Sequence, residues 1–132
     1  MQETKLTHAG LLKFYGYFTY ELIRSKTDGG GVALSALKSL QPAFVSDGGG
    51  AAEAITVDIC VKNMTITVTS AYGPEESASV ERKNAFWKYL YDEAHQAKAY
   101  GKGYILQGDL NAMLGPKLLP AKTEMANCLV NF

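Results

Sequence analysis

The sequence predicts a mixed α/β fold of the α+β kind, with paired strands first, then a long helix, then a strand leading out of it. Three observations carry this expectation. Residues 55–69 alternate apolar side chains with Thr, Asp and Cys in two consecutive runs, the period of half-buried strands. A helical stripe follows, bounded by serines and glycines. Tyr104-Ile105-Leu106 then runs straight into Gly108-Asp109-Leu110-Asn111.

From Leu11 to Arg24 two assignments stand open. Phe18, Tyr20 and Leu22 alternate with Thr19, Glu21 and Ile23, and aromatics favour a strand, while Leu11–Phe14 also suits a helix. Gly29-Gly30-Gly31 and Gly48-Gly49-Gly50 predict turns. The first cluster lacks the Lys-Ser/Thr of a phosphate-cradling loop, and the chain contains no GxGxxG. Gly31–Ala36 predicts a short strand. Ile55, Val57, Ile59 and Val61, then Met64, Ile66 and Val68, predict a hairpin turning at Lys62-Asn63, where Asn tolerates positive φ.

The helix is predicted to start at Ser77 or Ser79, with Glu81 near its positive end, and to stop at Gly101 or Gly103. Phe86, Leu90, Ala94 and Ala97 share one stripe that Trp87 and Tyr91 widen. Arg82, Lys83, Lys88, Asp92 and Glu93 are assigned mostly to the wet face. Tyr104–Leu106 is expected to be a short buried strand.

Length and composition bound the rest. A chain of 132 residues suits one domain, residues 1–132, burying roughly two-thirds of its unfolded surface. Thirteen Lys+Arg balance thirteen Asp+Glu, so the basic excess that drives phosphate binding is missing from the totals. Cys60 and Cys128 form no CxxC or Cys/His metal pattern, and Cys60 is expected as a reduced, buried thiol. No apolar run approaches the ~18 residues of a membrane span, and Met-Gln-Glu-Thr-Lys lacks the apolar core of a signal peptide. A soluble intracellular protein is expected.

Four residues carry the candidate chemistry. Asp109 and Asn111 follow a strand at spacing i, i+2, which points both side chains to the same side. A carboxylate and an amide held together there orient water and donate to developing negative charge. The same pattern also reads as a turn whose side chains bond to backbone. Glu3 is a hard oxygen donor of the kind magnesium takes, or a solvated residue near a terminus. Tyr72, just before Gly73-Pro74, either places its hydroxyl over a site or packs at the sheet rim. His8 and His95 are expected at the surface.

Taken in order, Gln2-Glu3-Thr4-Lys5, Gly29-Gly30-Gly31-Val32-Ala33-Leu34, Ala71-Tyr72-Gly73-Pro74 and Gly108-Asp109-Leu110-Asn111-Ala112 resemble the successive motifs of the endonuclease/exonuclease/phosphatase superfamily. The nearest likeness is to the endonuclease domains of non-LTR retrotransposons, through Phe86-Trp87, Leu114-Gly115, Leu118-Leu119-Pro120 and residues 127–132. The resemblance implies a partial four-layer α/β-β/α sandwich of the deoxyribonuclease I type, lacking its first strand and its C-terminal strands. It implies magnesium, or manganese in its place, held by Glu3. Asp109 would orient the attacking water, Asn111 would stabilise the transition state and Tyr72 would stand near the scissile phosphate. DNA is the implied substrate, the nucleus the implied compartment and a reverse transcriptase the implied fusion partner.

Two departures qualify the activity. The family's metal-side asparagine strand would precede Met1, and its Ser-Asp-His motif would follow Phe132, so cleavage by this chain is expected to be impaired. Two alternatives accompany the nuclease expectation: a fragment without catalysis that serves as an interaction surface, and a phosphatase of the same superfamily acting on small phosphoesters.

Overall fold

The computed structural model describes residues 13–24 and 30–111. Strands β1 (Tyr17–Ile23) and β2 (Gly31–Leu37) pair antiparallel as one sheet. A second sheet runs in the order β3 (Ala43–Asp47), β4 (Glu53–Val61), β5 (Met64–Tyr72) and β6 (Gly103–Asp109). β5 and β6 are parallel and are joined through helix α1 (Val80–Ala99), a β-α-β connection; the other pairs are antiparallel. The mixed α/β expectation is met, with two sheets and one α-helix among the described residues.

Alternation decides which side chains meet. On one face of the larger sheet, Ile55 and Val57 of β4 pack against Val32, Leu34 and Ala36 of β2, with Tyr20, Leu22, Val68 and Tyr72 around them. On the opposite face Ala54 and Ala71 leave room for Phe86 and Leu90 of α1, while Ala94 and Ala97 meet Tyr104 of β6. Burying Phe86 and Leu90 contributes about 1.5–3 kcal/mol each. The layers therefore run two-stranded sheet, four-stranded sheet, helix.

Local signals set the ends of the elements. Ser79 caps α1, its Oγ accepting from the Arg82 N–H at 3.2 Å, as the sequence predicts for one of the two serines. The Phe86, Leu90, Ala94, Ala97 stripe is buried as expected. The ambiguity before Arg24 resolves to a strand from Tyr17 onward. The hairpin forms at Lys62-Asn63, but the positive φ, 57°, falls on Lys62 rather than Asn63. Cys60 carries a free, half-buried thiol, less covered than expected; Cys128 lies outside the described residues.

Three further expectations fail, where tertiary contacts override the local pattern. Tyr91 does not widen the buried stripe; it is 41% exposed and stacks on His95 with ring centroids 5.7 Å apart. Glu93, expected on the wet face, is 8% exposed. β6 is longer than expected and edges the sheet: Tyr104 is buried under α1, but Ile105, on the other face, stays 45% exposed. The β3 strand and the 3-10 turn Lys38–Leu40 carry no advance signal at all.

The burial of Glu93 has a partner set. Ser46 of β3 donates to Glu93 Oε1 at 2.8 Å, and Tyr89 OH lies 2.9 Å from Ser46 Oγ. Tyr89 OH also lies 2.9 Å from Thr56 Oγ1, which meets Thr69 Oγ1 at 2.9 Å. Each hydroxyl has one proton. With Ser46 committed to the carboxylate, the order that pairs every contact is Thr69 to Thr56, to Tyr89, to Ser46, to Glu93. Burial pushes the Glu93 carboxyl above its ordinary value, against the opposing hydrogen bond from Ser46. Burial likewise raises the Tyr89 phenol.

Candidate active site

The candidate residues gather where β4 begins and β5 and β6 end, on the face turned toward the two-stranded sheet. Register puts Glu53 of β4 opposite Tyr72 of β5, and Tyr72 opposite Asp109 of β6. Laterally paired residues share a face, and neighbouring strands lie about 5 Å apart. A row of carboxylate, phenol and carboxylate thus crosses three strands at one end of the sheet. Sequence spacing alone does not contain this row, because it depends on two pairings far apart in the chain.

Two glycines let the ends of β5 and β6 approach. A Cβ on Gly108, whose φ is +139°, would lie 1.8 Å from the Ala71 carbonyl oxygen, and one on Gly73 would lie 2.0 Å from that of Leu110. The Gly73 N–H donates to the Asp109 carbonyl at 2.7 Å and closes the join. Glycine before Asp109 and after Tyr72 is a steric requirement here.

Asp109 and Asn111 are brought together, but not as successive positions of a strand. β6 stops at Asp109, and Asn111 sits at φ 45° in the left-handed region. Its N–H donates to Asp109 Oδ1 at 3.0 Å, an Asx-type turn, and its Nδ2 donates to the Gly73 carbonyl at 2.9 Å. The turn that the residues suggested as an alternative is what forms. Both side chains remain exposed at the rim, and an Asn amide carries a second N–H beyond the one given to Gly73.

Tyr72 is half-buried, with the Arg24 guanidinium 5.3 Å from its ring centroid. Arg24 grips Glu53 through two bonds of 2.9 Å each, Nε to Oε1 and Nη2 to Oε2. Arg82 of α1 reaches the same carboxylate at 3.5 Å. Neither arginine nor Glu53 emerges from sequence reasoning. Their one visible signal is placement, Arg24 just past a predicted strand and Glu53 just before one.

Glu3 lies outside the described residues. Among the described residues no group of three or more His, Cys, Asp or Glu side chains could hold a metal. Asp109 offers the hard oxygen chemistry magnesium prefers, and that ion takes as few as one or two carboxylates with waters completing its shell. Glu53 does not fit that role, because two guanidiniums already claim it. Asp109 is therefore the metal-compatible donor of the described row. No described helix is long and apolar enough to cross a membrane. The chain matches no protein-family model and no curated protein sequence.

Proposed function

We propose that the chain is part of a magnesium-dependent phosphodiesterase domain that hydrolyses DNA, of the deoxyribonuclease I-like type found in retrotransposon endonucleases. The observation that carries this reading is the lateral pairing of Tyr72 with Asp109, with Asn111 clipped to Gly73 beside them. An exposed carboxylate and an amide donor at one sheet end suit an attacking water and a charge-accumulating phosphorus centre. The motif resemblance supplies the substrate class, and Glu3 is its proposed metal ligand. Magnesium, when bound, would neutralise phosphate charge and stabilise the leaving oxygen.

Within this reading Asp109 orients the nucleophilic water through a carboxylate that the Asn111 N–H holds in place. Asn111 turns its second amide N–H to the phosphate oxygen. Tyr72, steadied by Arg24, walls the phosphate from the core. Nicking of supercoiled plasmid in magnesium tests the assignment. The expected result is weak nicking that Asp109→Ala abolishes and Asn111→Ala lowers about 10²–10³-fold. Nicking that survives Asp109→Ala would sink it.

A second reading rests on one observation. The Asp109 and Asn111 side chains both bond to backbone in a turn, which is sufficient reason for their presence in a domain without catalysis. A chain that never rises above its Asp109→Ala control carries that reading.

A further inference from the structure

Beside the candidate row, on the side of Tyr72 away from Asp109, lies a cavity of about 290 Å³. Its walls come from β4, from the Tyr72-Gly73-Pro74 exit of β5 and from the approach to α1; Arg24, Glu53, Tyr72, Ser77 and Arg82 supply its polar surface together with Glu75. Two guanidiniums face two carboxylates, so the cavity carries no net charge. Its preference depends on which of those pairs yields.

The pairs are unequal. Arg24 and Glu53 are 28% and 16% exposed at their side chains and hold each other through two short bonds. Arg82 is 60% exposed and meets Glu53 at a single 3.5 Å contact, too long for a strong ion pair. An entering anion therefore leaves the Arg24–Glu53 fork intact and draws Arg82 away from Glu53. A guanidinium binds two phosphate oxygens in parallel, a geometry that one long contact to a carboxylate does not approach. Arg82 also belongs to the first turn of α1, where the helix dipole is positive, and Ser77 lines the same cavity.

From this we infer that the cavity between β4, the end of β5 and the start of α1 is a phosphate subsite, with Arg82 as its exchanging ligand and Arg24–Glu53 as its fixed wall. The inference rests on the phosphodiesterase reading for its ligand, a phosphate of the substrate strand flanking the scissile one. Tyr72 separates the two positions. Tyr72 and Glu53 are lateral neighbours, so a strand whose scissile phosphate sits at Asp109 crosses the Tyr72 ring to reach Arg82. A site of this kind binds the strand backbone without reading sequence.

The test uses the full chain in EDTA, so that binding is seen without cleavage. A short single-stranded oligonucleotide and inorganic phosphate are titrated separately while the arginine Nε–Hε signals are followed by NMR. Both probes are expected to shift the Arg82 signal. Arg82→Ala is expected to weaken the oligonucleotide about tenfold and to lower its salt slope by about 0.7. Glu53→Gln is expected to tighten binding, which a merely destabilised fold would not do. Lys98→Ala, a remote exposed cation on the same helix, is expected to change neither affinity nor slope. If phosphate moves Arg82 and the oligonucleotide does not bind, the subsite stands and the nuclease reading loses its substrate. If Arg82→Ala leaves the affinity and salt slope unchanged, or if neither probe moves Arg82, the subsite is refuted.

Discussion

The two faces of the four-stranded sheet are buried by different means. Toward β2, Ile55 and Val57 pack in a cluster of apolar side chains, and shape and area do the stabilising. Toward α1, the same strand presents Thr56, fully buried, which enters the chain from Thr69 through Tyr89 and Ser46 to Glu93. An apolar contact accepts many small slides of one layer over another. A directional chain of hydroxyls ending on a carboxylate accepts one placement of helix, β3 and sheet. Burial and positional specificity are supplied here by opposite faces of a single strand.

The largest loss is expected from cutting into the apolar side. Ile55→Ala removes a side chain that is 1% exposed, and urea unfolding is expected to register a loss of about 2–5 kcal/mol. The loss should vary little with pH, since Val32, Leu34 and Ala36, the β2 side chains packed against Ile55, are all apolar. A pH-dependent loss would mean the two faces are not separate.

Thr56→Val keeps the shape and removes the central hydroxyl of the polar chain. Tyr89 OH and Thr69 Oγ1 each lose a partner, so a smaller cost of about 1–3 kcal/mol is expected. A double-mutant cycle with Ser46→Ala should show coupling between the two sites, because both interrupt one network. Additive costs would show that the hydroxyls act as separate pairs.

The smallest effect sharpens the picture through pH. The folded-state pKa of Glu93 is raised by burial, so the folded protein holds this proton more firmly than the unfolded chain does. Its contribution to stability is fully present below the unfolded carboxylate pKa and is lost as pH rises through the higher folded value. Glu93→Gln cannot ionise and still accepts from Ser46. Thermal melts across this acidic window are therefore expected to fall with pH in the wild type and to flatten in Glu93→Gln. Parallel curves would show that Glu93 carries no linked proton.

The rim where the candidate site lies belongs to the apolar face, at the place where its cover thins. The two-stranded sheet packs over β4 and β5, and on β6 the side chains of Ile105 and Asp109 on this face stay exposed. That explains which parts of the site were legible in advance. Asp109, Asn111 and Tyr72 stand out because they lie at or just past strand patterns, Tyr72 and Asp109 each beside a glycine. Arg24, Glu53 and Arg82 do not, because an arginine after one strand and a glutamate before another look like ordinary solvated charges. Their meaning comes from a contact across 29 positions of chain.

Local geometry was legible in the residues alone: the hairpin at Lys62-Asn63, a helix opening at one of two serines, and its Phe86, Leu90, Ala94, Ala97 stripe. Periodicity and sterics act over a few residues, so a few residues suffice to reveal them. Long-range packing sets the burial of Glu93 and the exposure of Tyr91, turns Asn111 back to Gly73, and aligns Glu53, Tyr72 and Asp109 in one row. These depend on which layer covers a face and on the register of distant strands. An alternating pattern names two faces without saying what will lie against either.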